Sequence, residues 1–304
     1  MPPRTTSEEV LRKRLRALAR ALPGAARGEP DAVHKARVAS RRVREALPVV
    51  LADAPSKRRR RLRRPAERIT RALGPVRELD VSMAVVDELG TEIGAADAGL
   101  LEVRRAIEAE RRSRRQRLPA RLKGVDGGRL RARGERYLAD AVRESPLFEL
   151  SAAAVLLIRL TRRVDELEAA VEAAGPLYNA EPIHEVRIAI KKLRYAFELA
   201  HDLKLLRSRR ALTELRAMQQ TLGRLNDLQV LVRRAEALRA RSARLEGEAL
   251  SVLLATAETR CRQLHARYLA GRERLLAAAD AALADTALRA AARGDHPPAR
   301  AALQ

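Results

Sequence analysis

Two stretches of this chain, Val33–Arg44 (VHKARVASRRVR) and Ile183–Arg194 (IHEVRIAIKKLR), carry the same pattern 150 residues apart. Each opens on an apolar residue and a histidine, then spaces cations three and four apart among small and branched apolar residues. That spacing suits one regular structure. On a wheel of 3.6 residues per turn, His34, Arg37, Arg41 and Arg44 fall within a stripe about 80° wide. Val33, Ala36, Ala39, Val43, Ala46 and Leu47 fall opposite it. His184, Arg187, Lys191 and Arg194 form the corresponding stripe, backed by Ile183, Val186, Ala189, Ile190, Leu193, Ala196 and Phe197. Arg42 and Lys192 flank the stripes. Each segment is expected to be a helix with one face in a core and a cationic rail ~15 Å long on the other.

The same three-and-four periodicity runs through nearly the whole chain, in segments rich in Ala, Leu, Arg and Glu, which are good helix formers. No alternating β-branched run of useful length occurs, so the fold class is all-α. Pro and Gly suggest breaks near Leu22–Pro30, Ala54–Ser56, Leu73–Pro75, Leu89–Gly94, Gly124–Gly128, Ser145–Pro146, Gly175–Pro182, Leu222–Gly223 and Glu246–Gly247. A second pair of matching segments follows the first: Leu73–Val81 (LGPVRELDV) and Leu222–Val230 (LGRLNDLQV), at an offset of 149. Two ordered matches at nearly one offset imply an internal repeat. The expectation is two similar antiparallel four-helix-type bundles, related by duplication and a pseudo-twofold axis. The first would occupy 1–125 and the second 126–285, with 286–304 a flexible tail.

Charge bounds the partners. The 304 residues carry 62 Lys+Arg against 39 Asp+Glu, a net +23. Such a surplus points to a polyanion: nucleic acid, an anionic membrane or a polyphosphate. Single-stranded nucleic acid is read by stacking bases on aromatic faces, and this chain has four Tyr, two Phe and no Trp. Its single cysteine excludes an intramolecular disulfide and a cysteine-rich zinc site. The longest near-apolar run, Leu150–Ile158, falls far short of the ~20 residues of a membrane span. The N-terminus lacks the apolar core of a signal peptide, and the basic helices leave no wide apolar face for membrane insertion. A cytoplasmic protein, monomeric given its charge, is expected.

Cations stacked on one helical stripe repel their i,i+3 and i,i+4 neighbours by a few tenths of a kcal/mol each. Glu45 offers some relief in the first copy; Tyr195 takes that place in the second. Two such stripes at matching positions are arranged for an anion rather than left as solvated faces. Downstream, Lys57–Arg64 holds seven cations in eight residues, too many for one side of a helix. Lys57, Arg60, Arg61, Arg64, Arg68 and Arg71 are candidate secondary contacts. Arg207, Arg209, Arg210, Arg216 and Arg224 are their weaker counterparts.

The two His-x-x-Arg-(apolar)-Ala-x-(Arg/Lys)-(Arg/Lys)-(apolar)-Arg segments, each followed by a Leu-Gly…(Glu/Asp)-Leu segment, resemble the CHAD domain, the conserved histidine α-helical domain. The likeness covers roughly residues 7–285. It implies two four-helix bundles with a basic groove or pore between them, inorganic polyphosphate as ligand, and residence at polyphosphate granules. Carried onto this sequence, the ligand residues are His34, Arg37, Arg41, Arg42 and Arg44, with His184, Arg187, Lys191, Lys192 and Arg194. Some members carry a triphosphate-tunnel (CYTH) domain; this chain has no Glu-x-Glu-x-Lys strand, and no catalytic partner is expected.

The residues agree with a polyphosphate ligand, which has no bases to stack and many oxygens for guanidinium groups. Lys191 and Lys192, where the first copy has arginines, would supply point charge rather than paired hydrogen bonds. Neighbouring arginines should disfavour imidazolium in the free protein and a bound polyanion should favour it, so binding is expected to take up protons near neutrality. A nucleic-acid (phosphate-backbone) binder is the alternative. A histidine metal site is the second alternative, weakened by the cations on the same stripes and by the missing second histidine of a HExxH pair. No cofactor is called for. Neither a phosphate-binding Gly-rich loop nor an acidic cluster for magnesium stands beside the stripes, so no enzymatic activity is expected.

Overall fold

The computed structural model describes residues 6–94, 97–241 and 250–291. Among these residues the chain forms ten helices and no strand, as the periodicity requires. They are α1 (Ser7–Ala26), α2 (Pro30–Val50), α3 (Ser56–Ile93), α4 (Ala98–Gln116), α5 (Leu118–Leu122), α6 (Gly127–Glu144), α7 (Phe148–Ala174), α8 (Ala180–Asp202), α9 (Arg210–Arg239) and α10 (Ser251–Ala291).

Local chemistry sets several ends. Thr6 and Glu9 form a reciprocal capping box at the start of α1. Pro30 occupies the first turn of α2, where its missing N–H costs nothing. Asn179 accepts from Glu181 N to cap α8.

Two expected breaks are absent. α3 runs through Leu73-Gly74-Pro75 and α9 through Leu222-Gly223. An interior proline removes one helical hydrogen bond and costs about 3 kcal/mol. In α3 that cost is offset by Ile69, Leu73, Val76 and Leu79, which are buried on either side of Pro75. The break expected around Glu246–Gly247 lies outside the described residues. α10 continues as helix to Ala291 with Thr286 and Ala290 buried, so residues 286–291 belong to the packed structure rather than to a tail. Residues 292–304 lie outside the described residues.

The helices pack in two groups. α7 packs on α8, α8 on α9, α9 on α10, and α10 returns to α7. In the N-terminal group α1, α2, α3 and α4 pack in succession, but α6 rather than α4 returns to α1. α6 also touches α3, so it sits with the N-terminal helices and not on the far side of a division at residue 125. The groups join through α2 with α7 and α8, and α3 with α9 and α10. The residues predicted for the core faces of α2 and α8 are all buried, which seats the two His–Arg helices against their own groups and against each other.

Candidate anion-binding site

The apolar halves of α2 and α8 fix where their basic halves point. Arg37 and Arg41 on α2 come close enough to Arg187 and Lys191 on α8 to depress the ionisation of the α8 cations. Burial, then Arg41, Arg187 and Arg37, press Lys191 down to about 8. Burial, then Arg41 and Arg77, bring Arg37 down to about 10. Arg187 is lowered by burial and by Arg41 against the attraction of Asp227. None of Arg37, Arg41, Arg77, Arg187 and Lys191 forms an ion pair with a carboxylate among the described residues. A group of part-buried cations that outnumber the carboxylates facing them, with no direct ion pair, is unfavourable in the free protein and calls for an external anion.

Arg77 was not among the residues chosen from sequence, although it stands at the fifth position of the second repeated segment. Its field, after burial, is the largest influence lowering the ionisation of His34. The same position of the other copy is Asn226, whose Oδ1 lies 3.0 Å from His184 Nδ1. In the second half, then, the Leu-Gly segment touches the histidine of the His–Arg segment, and in the first half the same position acts on the histidine through its charge. Asp227, held above its usual range by burial, is the acidic group facing Arg187 and Arg77.

The remaining predicted residues divide. Arg42 donates to the buried Glu198 at 3.0 Å, and Arg194 pairs with the same carboxylate while donating to Gln219 at 2.7 Å. Arg194 also lies over the Tyr195 ring, 4.5 Å from its centroid. Arg44 reaches Glu67 at 3.9 Å and Lys192 reaches Glu166 at 3.5 Å. These four are held within the protein. The relief expected from Glu45 goes elsewhere, to Arg159 of α7 at 2.7 Å. Tyr195 is buried rather than on the open stripe.

Two cavities border this region. One, of about 870 Å³, is lined by Arg41, Arg44, Lys191 and Lys192 together with Arg59, Arg60 and Arg63 of α3 and Arg159 and Arg163 of α7. The other, about 720 Å³, lies between α1, α2, α8 and α9 and is lined by His34, Arg42, Arg209 and Arg216, among others. Of the secondary candidates, Arg60 thus joins the first cavity, and Arg209 and Arg216 the second.

The rest lie elsewhere. Arg61 approaches the Tyr137 hydroxyl at 3.5 Å and Arg68 donates to the carbonyls of Arg121 and Lys123, both turned towards the α5–α6 side. Arg224 pairs with Glu88, and Arg207 donates its backbone N–H to Asp285. Lys57, Arg64, Arg71 and Arg210 are exposed. Arg59, Arg63, Arg159 and Arg163 are cavity cations that sequence reasoning missed. Arg59 caps carbonyls of 51, 52 and 54 at the end of α2, and the other three pair with Glu67, Glu45 and Glu166.

Among the described residues, no group of three or more His, Cys, Asp and Glu side chains is placed to hold a metal ion. None of the described helices is long and apolar enough to cross a membrane.

Fold and site together define an all-α protein whose two basic helices turn unpaired cations towards one another. The CHAD-domain family model matches residues 9–236, and the chain belongs to that family. It is similar to the crystal structure of the CHAD domain from the plant Ricinus communis, with 26% identity over 91% of this chain and 89% of that one, at a TM-score of 0.57. It shares its fold with PptA from Streptomyces chartreusis, at 18% identity over 91% of this chain and 99% of that one, TM-score 0.61. No curated protein matches by sequence.

Proposed function

We propose that this protein is a non-catalytic binder of inorganic polyphosphate, holding the chain against Arg37, Arg41, Arg77, Arg187 and Lys191. The observation that carries this reading is that, among the described residues, none of these five groups forms an ion pair, in a protein that pairs most of its neighbouring cations. Polyphosphate suits them because it offers regularly spaced oxygens to guanidinium forks and needs no aromatic platform. The cavity beneath Arg60, Arg63 and Lys192 would extend the track. Duplication of one helical unit accounts for the paired motifs, each copy supplying one rail. Granule association and a cytoplasmic site belong to the same reading.

The test is calorimetric binding of long-chain polyphosphate at ~150 mM salt, with duplex DNA of matched charge as competitor. Binding that resists DNA, and collapses when Arg37, Arg41, Arg187 and Lys191 are changed to alanine, supports the proposal. Equal displacement by DNA, or binding retained by the quadruple variant, leaves only diffuse charge and favours nucleic acid as the partner.

A further inference from the structure

The cavity of about 720 Å³ between α1, α2, α8 and α9 shares no lining residue with the one that borders Arg41 and Lys191. Its chemistry is graded with depth. Ala39 and Leu212 are buried at its base, and Ala17, Ala21 and Val38 are part-buried around them. Lys13, Arg20, Lys35 and Arg209 line it as exposed residues, none of them paired with a carboxylate among the described residues.

The buried carboxylate in this cavity works against an inorganic chain. Glu198 is already engaged by Arg42 and Arg194, with Arg216 at 4.0 Å, and Asp202 holds Arg14 at 2.9 Å. Phosphate driven to the base would meet the buried Glu198 and apolar surface, and would gain no new cation there. Phosphate at the exposed cations avoids both. The base then suits an apolar body, and burying it there is favourable by about 25 cal/mol per Å². A volume of this size lies within the range of small-molecule sites, roughly 300–1,000 Å³.

Planar faces narrow the class. His34, His201, Arg209 and Arg216 all line the cavity, and imidazole and guanidinium planes stack on flat heteroaromatic rings. Arg209 Nε approaches His201 Nε2 at 3.4 Å, which holds two of these planes beside each other.

We propose that this cavity binds a nucleotide, with the base against the apolar floor of Ala39, Leu212 and the neighbouring Ala21, and the phosphates on Lys13, Arg20, Lys35 and Arg209. This site is separate from the polyphosphate track, and its occupation does not depend on that reading.

The experiment is calorimetry at ~150 mM salt with metal-free ATP, inorganic tripolyphosphate and long-chain polyphosphate as three probes. Tripolyphosphate carries comparable charge without an apolar body. The expected result is ATP binding at least about tenfold tighter than tripolyphosphate. Ala21→Trp, which fills the floor, should remove that advantage, and the exposed double change Lys35→Glu with Arg209→Glu should weaken ATP similarly without touching the core. An Arg37→Ala, Arg41→Ala protein should keep ATP binding, so failure of the polyphosphate reading is seen separately. Tripolyphosphate binding as tightly as ATP, or ATP binding unchanged by the Lys35/Arg209 double variant, overturns the proposal.

Discussion

The guanidinium of Arg37 lies directly over Gly74: a Cβ on that glycine would stand 3.0 Å from Arg37 Nη1, the same nitrogen that donates to the Thr70 carbonyl at 3.2 Å. The glycine of the second repeated segment therefore makes room on α3 for a cation of the first. Gly223, its counterpart on α9, faces open space.

This asymmetry separates binding from stability. Gly→Ala inside a helix ordinarily stabilises by about 0.8–1 kcal/mol. Gly223→Ala should show that gain in urea unfolding with unchanged polyphosphate affinity. Gly74→Ala should lose most of the gain, because Arg37 must move, and should weaken polyphosphate binding about tenfold, comparable to one charge-assisted hydrogen bond. If both variants bind as the parent does, Arg37 is not a ligand contact.

Lys191 predicts opposite pH dependences for binding and folding. Burial and neighbouring cations hold it at about 8, against 10.5 ordinarily. A bound polyanion favours the ammonium, so binding takes up a proton and affinity should fall as pH rises through about 8. In the free protein the unfolded chain binds more protons between about 8 and 10.5, so this group makes stability rise with pH across that window. Lys191→Met should flatten both trends, read by calorimetry in buffers of different ionisation heat and by urea midpoints.

Arg77 should act on binding and on His34 together. The imidazole is lowered by burial first and by Arg77 next, ahead of Arg37. Arg77→Gln should raise the His34 titration midpoint, followed by NMR, while burial keeps part of the depression. The same change should weaken polyphosphate binding and reduce its salt dependence by about 0.7 in log–log slope, one phosphate contact on a single-stranded chain. An unmoved His34 midpoint would remove Arg77 as an influence on the imidazole.

Glu198 ties the two groups of helices, accepting from Arg42 of α2 and from Arg194 of its own helix. Removing one partner of a buried ion pair costs about 3–5 kcal/mol, and here the low end applies because Arg42 and Arg216 are part-exposed. Glu198→Ala should lower stability by about 3 kcal/mol in urea unfolding. Because Arg42 and Arg194 are then released, polyphosphate affinity should rise rather than fall.

The sequence by itself determined the helices and the faces of α2 and α8. Residues recurring at three and four must share a side of a helix, and burying the apolar side leaves His34, Arg37, Arg41 and their counterparts on the other. It also pointed to the family, through motifs whose order is a property of the chain. It did not determine that α3 and α9 pass unbroken through their glycines, because the packing that offsets the proline in α3 comes from residues distant in sequence. Nor did it say which cations stay free. Arg42 and Arg194 share the basic pattern with Arg37 and Arg187, but Glu198 forms ion pairs with the first two, whereas among the described residues Arg37 has no ion pair and Asp227 faces Arg187 without forming one. Whether a charge is neutralised depends on what stands within about 4 Å, and tertiary packing decides that. Arg77 marks the same boundary: it was visible in a repeated motif, and its role became readable only when α3 brought it to His34.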